Sequence, residues 1–279
     1  MTSKERKART ISIGKFEEGI INEDAVIAQN KMIAVSDGAG GGGVFADLWS
    51  HYLLNHLPNQ PISSFEKFDD WIDNIWENFY DNQEIEAKSK GGMFLNKFYE
   101  EGSFATLVSV WKIDDNTCQW ISYGDSVAFC YHPTTRKLFH SFSELKDFDN
   151  PPYLINCKDP LQEKGFKCGK FSIEKDSIVF VASDTLSHYI IMMYEIAKKN
   201  LYSEELQAAI DSKTKNSNYI KYAISMKDVD FESVLKKLYN SAYREFLFKS
   251  HISSLIRKGL IGFDDYSIAF MNTNITRLF

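Results

Sequence analysis

Cysteine is scarce and unpaired in this sequence. Cys118, Cys130, Cys157 and Cys168 form no C-x-x-C unit, so neither a zinc cage nor a disulfide scaffold is indicated, and free buried thiols in a reducing compartment fit better. Positive charge is also short. With 32 Lys and Arg against 38 Asp and Glu, the formal net charge is −6, which argues against the clustered basic footprint of a nucleic-acid binder. No apolar run approaches the roughly 20 residues a membrane helix needs, and the basic opening MTSKERKART lacks a signal-peptide core. A cytoplasmic protein with no membrane and no nucleic-acid partner is expected. Nucleophile motifs are missing as well: the chain has no G-x-S-x-G elbow, and none of its cysteines stands in a loop that would cradle phosphate.

What the chain does have is concentrated in KMIAVSDGAGGGGVFADLWS, from Lys31 to Ser50. An apolar run from Met32 to Val35 ends in Ser36, Asp37 and Gly38. Four glycines, Gly40 to Gly43, follow, and then Val44, Leu48, Trp49, Tyr52 and Leu53 recur at helical spacing. This is the pattern of a strand, a Gly-rich turn and a helix start, with a carboxylate at the strand's end. Glycines permit positive φ and close approach to the main chain, so such a turn can host a phosphate or a metal. No P-loop lysine follows, and Asp37 would repel a pyrophosphate. A cation is therefore favoured. Three more acidic sites stand at comparable strand edges: Glu23-Asp24 in NEDAVIA, Asp184 in IVFVASDTL and Asp264-Asp265 in GFDDYSIAF. Hard divalent cations such as Mg²⁺ and Mn²⁺ take oxygen ligands that carboxylates from several strand ends can supply. Taken singly, each acid is equally a turn or capping residue, and Asp184 stands where it could cap a following helix.

Residues Arg9 to Ile13, Asp24 to Ala28 and Met32 to Val35 read as strands, the last two as a hairpin turning near Gln29 to Lys31. A helix is expected to about Leu57, ahead of Pro58. Apolar spacing predicts one amphipathic helix from Phe65 to Tyr80, and Lys88 to Gly92 reads as a loop. Phe104 to Trp111, Thr117 to Tyr123 and Ser126 to Tyr131 form an expected antiparallel meander. Pro133 to Gly169 holds four of the six prolines and reads as loops joined by short strands. Ile178 to Ala182 is a buried strand. Helices follow over Leu186 to Lys199, Ser203 to Ser212 and, most strongly, Asp230 to Ile256, before a last strand in Phe263 to Met271. No linker or repeat divides the chain, so one domain over residues 1–279 is expected. Grouped strands and grouped helices argue against alternating βαβ units. Pattern alone stops at a mixed fold.

The order of six segments, NEDAV, VSDGAGG, GSFATLV, YGDSVAF, VASDTL and DDYSIAF, resembles the metal-dependent protein phosphatases of type 2C across nearly the whole chain. The resemblance implies an α+β fold, a four-layer α-β-β-α sandwich of two antiparallel sheets flanked by helices, with metals at one sheet edge. It implies that Asp37 bridges two Mn or Mg ions. The Gly38 carbonyl and Glu23 would complete one ion, and Asp184 with Asp264 would hold the other, making Asp37, Asp184 and Asp264 the expected catalytic residues. Asp24 would fix water at the ions from behind, Asp265 is a candidate for a similar supporting part, and Asp125 matches the position of a third, labile ion. Two cations sharing a water lower its pKa and clamp phosphoryl oxygens for in-line attack. The implied partners are a phosphorylated protein, as substrate, and a cognate kinase acting in opposition.

The chain also departs from that pattern. Gly19 stands where the family places a phosphate-gripping arginine three residues before Asn-Glu-Asp, so the bidentate clamp is missing there. Lys15 and Arg9 are candidate substitutes. Thr185 replaces the glycine of the common Ser-Asp-Gly, Val127 the arginine after Gly-Asp-Ser, and Ala39 a histidine. His188, one helical turn past Asp184, is either a cleft residue or a packed one. The alternative to an enzyme is a pseudophosphatase, a binding or regulatory module with the same fold and weak turnover. A phosphodiesterase or nuclease is disfavoured by the acidic surface and by the motif order.

Overall fold

Residues 9–16, 19–198, 203–226 and 228–271 are described by the computed structural model. The opening segment before Arg9, Glu17, Glu18 and the expected helix end at Lys199 lie outside them. Strand β1 (Arg9–Ile13) precedes the hairpin β2 (Ala25–Gln29) and β3 (Met32–Ser36), and helices α1 (Ala46–Asn55), α2 (Phe65–Asp73), α3 (Trp76–Lys90) and α4 (Gly92–Glu101) follow. Then come β4 (Phe104–Ala105), β5 (Leu107–Lys112), β6 (Thr117–Tyr123), β7 (Val127–His132), β8 (Lys137–His140), β9 (Ile155–Asn156), β10 (Phe166–Ser172) and β11 (Ile178–Ala182). The chain continues through α5 (Asp184–Ala197), α6 (Glu204–Asp211), α7 (Lys215–Ile224), α8 (Phe231–Ser241) and α9 (Glu245–Arg257) to β12 (Tyr266–Phe270).

Ten of these strands make two five-stranded antiparallel sheets, ordered β1-β12-β11-β7-β8 and β10-β6-β5-β3-β2, and β4 pairs with β9 apart from them. The central strands are covered on both faces, which is why they read as unbroken apolar runs rather than alternating ones. Period-two geometry sorts their side chains. In β3, Ile33 and Val35 enter the layer between the sheets with Val108, Val110, Val179, Val181 and Ala269, while Met32 and Ala34 face the aromatic cluster of α1 to α4. In β11, Ile178, Phe180 and Ala182 face α5 to α9 on the opposite outer side. The expected four-layer α-β-β-α order is the observed one.

Several elements differ from expectation. The Phe65–Tyr80 stretch is two helices, because Asn74 Nδ2 donates to the Asp70 carbonyl at 2.6 Å and the chain turns before Trp76. Lys88 and Lys90 belong to the last turn of α3, paired with Glu84 and Glu86 one turn earlier, so the expected loop shrinks to Gly91, at φ 64°. The Asp230–Ile256 stretch is likewise two helices, separated where Arg244 takes an extended conformation. Helices α4 and α7 are additional. The expected meander is broken: β6 pairs with β5 and β10, whereas β7 pairs with β11 and β8, so the chain changes sheets at Gly124-Asp125. Cys168 is exposed, unlike the other three thiols. No described helix is long and apolar enough to cross a membrane.

Candidate metal centre

The acidic residues singled out in the sequence come together at one edge of the paired sheets. Asp37 follows β3, Asp125 sits in the crossing between sheets, Asp184 opens α5, Glu23 and Asp24 lead into β2, and Asp264 and Asp265 lead into β12. Their charges act on one another. Burial pushes the Asp37 carboxyl well above its ordinary range, and Asp24, Asp184, Asp125 and Asp264 push it the same way. Asp184 is raised by burial and then by Asp264, Asp125 and Asp24, against the Thr185 N–H, which donates to its Oδ1. Burial raises Asp125 to about 6, its own N–H opposing and Asp264 adding. Burial likewise raises Asp24 to about 7.

Asp24 is 1% exposed, and neither carboxylate oxygen completes a hydrogen bond. The Ser267 and Ser183 hydroxyls ease its charge: Ser267 Oγ donates to Ser12 Oγ at 2.8 Å, while Ser183 Oγ accepts the Ser267 N–H at 3.0 Å and keeps its own proton to turn toward Asp24. An orphaned, buried carboxylate is costly unless a donor or cation answers it. Asp265, only 4% exposed, is the opposite case. Its Oδ1 accepts the Lys15 N–H at 2.7 Å and its Oδ2 the Glu23 N–H at 2.9 Å, so it fixes the backbone that presents Lys15 and Glu23.

Two glycines are needed for close approach. A Cβ on Gly38 would stand 2.6 Å from the Glu23 carbonyl, and one on Gly40 would stand 1.8 Å from Glu23 Oε1. The turn thus lets Glu23 lie against the main chain beside Asp37. Three supporting hydroxyls escaped the acid-centred sequence reading. Thr106 Oγ1 accepts the Asp37 N–H at 3.2 Å and bonds Ser126 Oγ at 2.8 Å, joining GSFATLV to YGDSVAF. Thr185 Oγ1 donates to Asp264 Oδ2 at 2.6 Å. Their position inside the shared motifs was the available signal.

An all-oxygen donor set, mutual carboxylate repulsion and the two orphaned Asp24 oxygens suit hard divalent cations. The side chains as they stand are not a closed shell: among the described residues no three His, Cys, Asp or Glu gather into a metal cage. Part of the set is drawn elsewhere. Lys15 Nζ lies 3.9 Å from Glu23 Oε2 and 3.8 Å from Asp264 Oδ1. Burial works against the Lys15 ammonium, yet Asp265, Asp264, Glu23 and Asp37 together raise its pKa.

The other candidates are sorted by place. Arg9 donates to the Tyr239 carbonyl at 2.7 Å with its guanidinium 3.9 Å over the Tyr239 ring, so it is committed away from the carboxylates. Gly19 has φ 81°, with open space where a Cβ would point. His188 is 5% exposed, and burial pushes its imidazole down to about 4, leaving it neutral.

With this fold and edge cluster in place, solved structures give a consistent answer. The serine/threonine phosphatase PstP/Ppp of Mycobacterium tuberculosis aligns over 95% of this chain and 97% of its own, at TM-score 0.52 and 13% identity. The chain has the type 2C phosphatase fold. The catalytic domain of the serine/threonine protein phosphatase PstP, in complex with two manganese ions, aligns over the same shares at TM-score 0.51 and 13% identity. A point variant of a bacterial serine phosphatase covers 95% of this chain and 96% of its own at TM-score 0.50 and 12% identity. No protein-family model and no curated protein sequence matches. In the type 2C fold seen here, the edge at which Asp37, Asp125, Asp184 and Asp264 meet is where the two sheets exchange the chain.

Proposed function

We propose that the protein is a metal-dependent phosphatase that hydrolyses phosphomonoesters on serine or threonine of a cytoplasmic phosphoprotein, opposing a kinase. The observation that carries this reading is the array of Asp24, Asp37, Asp125 and Asp184, whose carboxyls are all pushed upward by burial and by neighbouring acids. Two Mn or Mg ions, with a third labile one at Asp125, would supply an activated water at neutral pH and a clamp for phosphoryl oxygens. The PstP catalytic domain solved with two manganese ions supports the pair.

This chain's residues take the following parts. Asp37, bracketed by Asp24, Asp125, Asp184 and Asp264, would bridge the ions. Glu23 and the Gly38 carbonyl would complete one, and Asp184 with Asp264 the other. Asp24 would accept hydrogen bonds from water through its orphaned oxygens. Thr106 and Thr185 orient Asp37 and Asp264. Lys15, held by Asp265 beside both Glu23 and Asp264, would meet the substrate phosphate in place of the arginine absent at Gly19. A neutral His188 cannot protonate a leaving group near pH 7, so solvent would do so.

Gly19 and the unclosed donor set favour a second reading, a pseudophosphatase that binds ions and a phosphoprotein with weak turnover. Hydrolysis of p-nitrophenyl phosphate and of a phosphoserine peptide with Mn²⁺, with and without chelator, separates the two. Chelator-sensitive turnover supports the enzyme. Manganese binding without turnover anywhere from about pH 7 to pH 9, the range in which a metal-activated water is ionised, supports the second reading.

A further inference from the structure

In the segment Asn22-Glu23-Asp24 the two acids belong to the metal centre, and Asn22 is left without a part. Asp24 stands just before β2, whose ladder with β3 begins at Ala25 opposite Ser36, so no strand pairing fixes its peptide. A small polar knot holds it instead. Asn22 Oδ1 accepts the Asp24 N–H at 3.1 Å, and Asn22 Nδ2 donates to Ser12 Oγ at 2.7 Å. A local side-chain turn of this kind sets the direction of the residue two places on. A Cβ on Gly14 would stand 3.2 Å from Asn22 Cβ, so the glycine that follows β1 lets the amide lie against the strand. Ser12 is the hub of the knot. It faces Ser267 across the β1–β12 ladder, accepts the Ser267 hydroxyl at 2.8 Å as well as the Asn22 amide, and donates to the Asp24 carbonyl over a long 3.5 Å. One donor and two acceptor sites are all that a serine hydroxyl has, so Ser12 is saturated.

The knot acts on Asp24 in two ways. It ties the Asp24 peptide, which leads into the sheet of β2 and β3, to β1 and β12 of the other sheet, and through the Ser267 N–H to Ser183, the residue before Asp184. It also draws the proton of the buried Ser267 hydroxyl onto Ser12, although that hydroxyl lies close enough to Asp24 to ease its charge. The Asp24 carboxylate therefore keeps lone pairs that its own neighbours do not fill. A satisfied buried network holds one geometry, and removing a member frees the others to pair anew. Glu23 is held separately. Asp265 Oδ2 accepts its N–H at 2.9 Å, and its carbonyl accepts Ser50 Oγ at 2.6 Å and the Gly38 N–H at 3.2 Å. Loosening Asn22 or Ser12 thus disturbs Asp24 ahead of Glu23. We propose that Asn22 and Ser12 are positioning residues for the reaction: they aim Asp24 at the water that the ions would hold, and they keep the Ser267 hydroxyl from claiming its carboxylate. The assignment rests on the phosphatase reading.

Hydrolysis of p-nitrophenyl phosphate by the Mn²⁺-loaded protein tests this with Ser12→Ala, Asn22→Ala and Ser12→Thr, in the wild-type and the Asp24→Asn backgrounds. Ser12→Ala and Asn22→Ala should each lower kcat by about tenfold, the order of one hydrogen bond. KM and Mn²⁺ affinity, the latter read by electron paramagnetic resonance, should stay within about twofold. Ser12→Thr keeps the hydroxyl on a residue suited to a strand and should restore most of kcat. In Asp24→Asn, itself the larger loss, Ser12→Ala and Asn22→Ala should lower kcat no further, because residues that act through one another are not additive. A role in folding alone would lower kcat by the same factor in both backgrounds, and that result overturns the assignment. A fall in Mn²⁺ affinity large enough to account for the lost turnover also overturns it, since the two residues would then support Glu23. Unchanged kcat in both single variants of an active protein sinks the assignment alone. A wild type without chelator-sensitive turnover sinks the phosphatase reading, and the assignment with it.

Discussion

The two sides of the carboxylate array are answered differently. On the outer side, Asp265 holds two backbone N–H groups, Asp264 takes the Thr185 hydroxyl, and Lys15 Nζ lies within 4 Å of Glu23 and Asp264. On the inner side, Asp24 keeps two oxygens without a completed hydrogen bond, Asp37 is raised by burial and by Asp24, Asp184, Asp125 and Asp264, and Asp125 and Asp184 are raised by burial and by Asp264. The difference teaches that the outer acids are built to hold position and the inner ones to hold charge. Cations brought to the inner side would remove a penalty the fold otherwise bears.

The sharpest way to break that contrast is Asp37→Asn. It should lower kcat by about a thousandfold or more, weaken Mn²⁺ binding as read by electron paramagnetic resonance, and raise the melting temperature of the ion-free protein by relieving repulsion. Retained wild-type turnover would falsify the bridging role.

A pH series sharpens it further. Asp24 is raised from 3.8 to about 7 in the folded chain, so between those values the folded protein binds a proton that the unfolded chain has released. Stability of the ion-free protein must therefore fall as pH rises from about 4 to 7, by roughly 4 kcal/mol from this group alone. Thermal unfolding in chelator should show a lower melting temperature at pH 8 than at pH 5, and Mn²⁺ should restore the loss. A rise instead would mean that the inner acids are already compensated.

The same contrast marks what could be read from the chain. Asp37, Asp184 and Asp264 were legible because the first two follow apolar strand runs and the third precedes one, and six ordered segments fixed their company. Asp125 was legible as a turn residue, but its place at the crossing between sheets was not, since β6 and β7 alternate like partners and only long-range pairing separates them. The break at Asn74 and the helicity of Lys88 to Lys90 were hidden for a related reason. Local hydrogen bonds and i,i+4 ion pairs leave no apolar period to detect. The part played by Asp265 depends on two backbone groups some 240 to 250 residues away, beyond any pattern within a window.

Lys15→Met removes the ammonium that lies beside Glu23 and Asp264. Since that side chain is 30% exposed, solvent screening holds the stability loss below about 1 kcal/mol. Manganese affinity should rise a few-fold, because the ammonium no longer competes for Glu23 and Asp264. The KM for a phosphopeptide should rise at the same time, whereas Lys15→Arg should largely retain it. Unchanged affinity and unchanged KM would leave Lys15 as scaffold only.

The smallest effect is expected at Gly19→Arg. A Cβ there meets no atom within 4 Å, but φ is 81°, so a side chain carries a backbone cost of about 1–2 kcal/mol that lowers the melting temperature slightly. If phosphate is gripped weakly by Lys15 alone, the new guanidinium should lower the phosphopeptide KM by a few-fold at constant kcat, and by less in Lys15→Met than in wild type if the two cations act on one phosphate. Equal gains in both backgrounds would separate the two positions, and no gain in either would show that the outer side, already answered within the protein, needs no second cation to hold substrate.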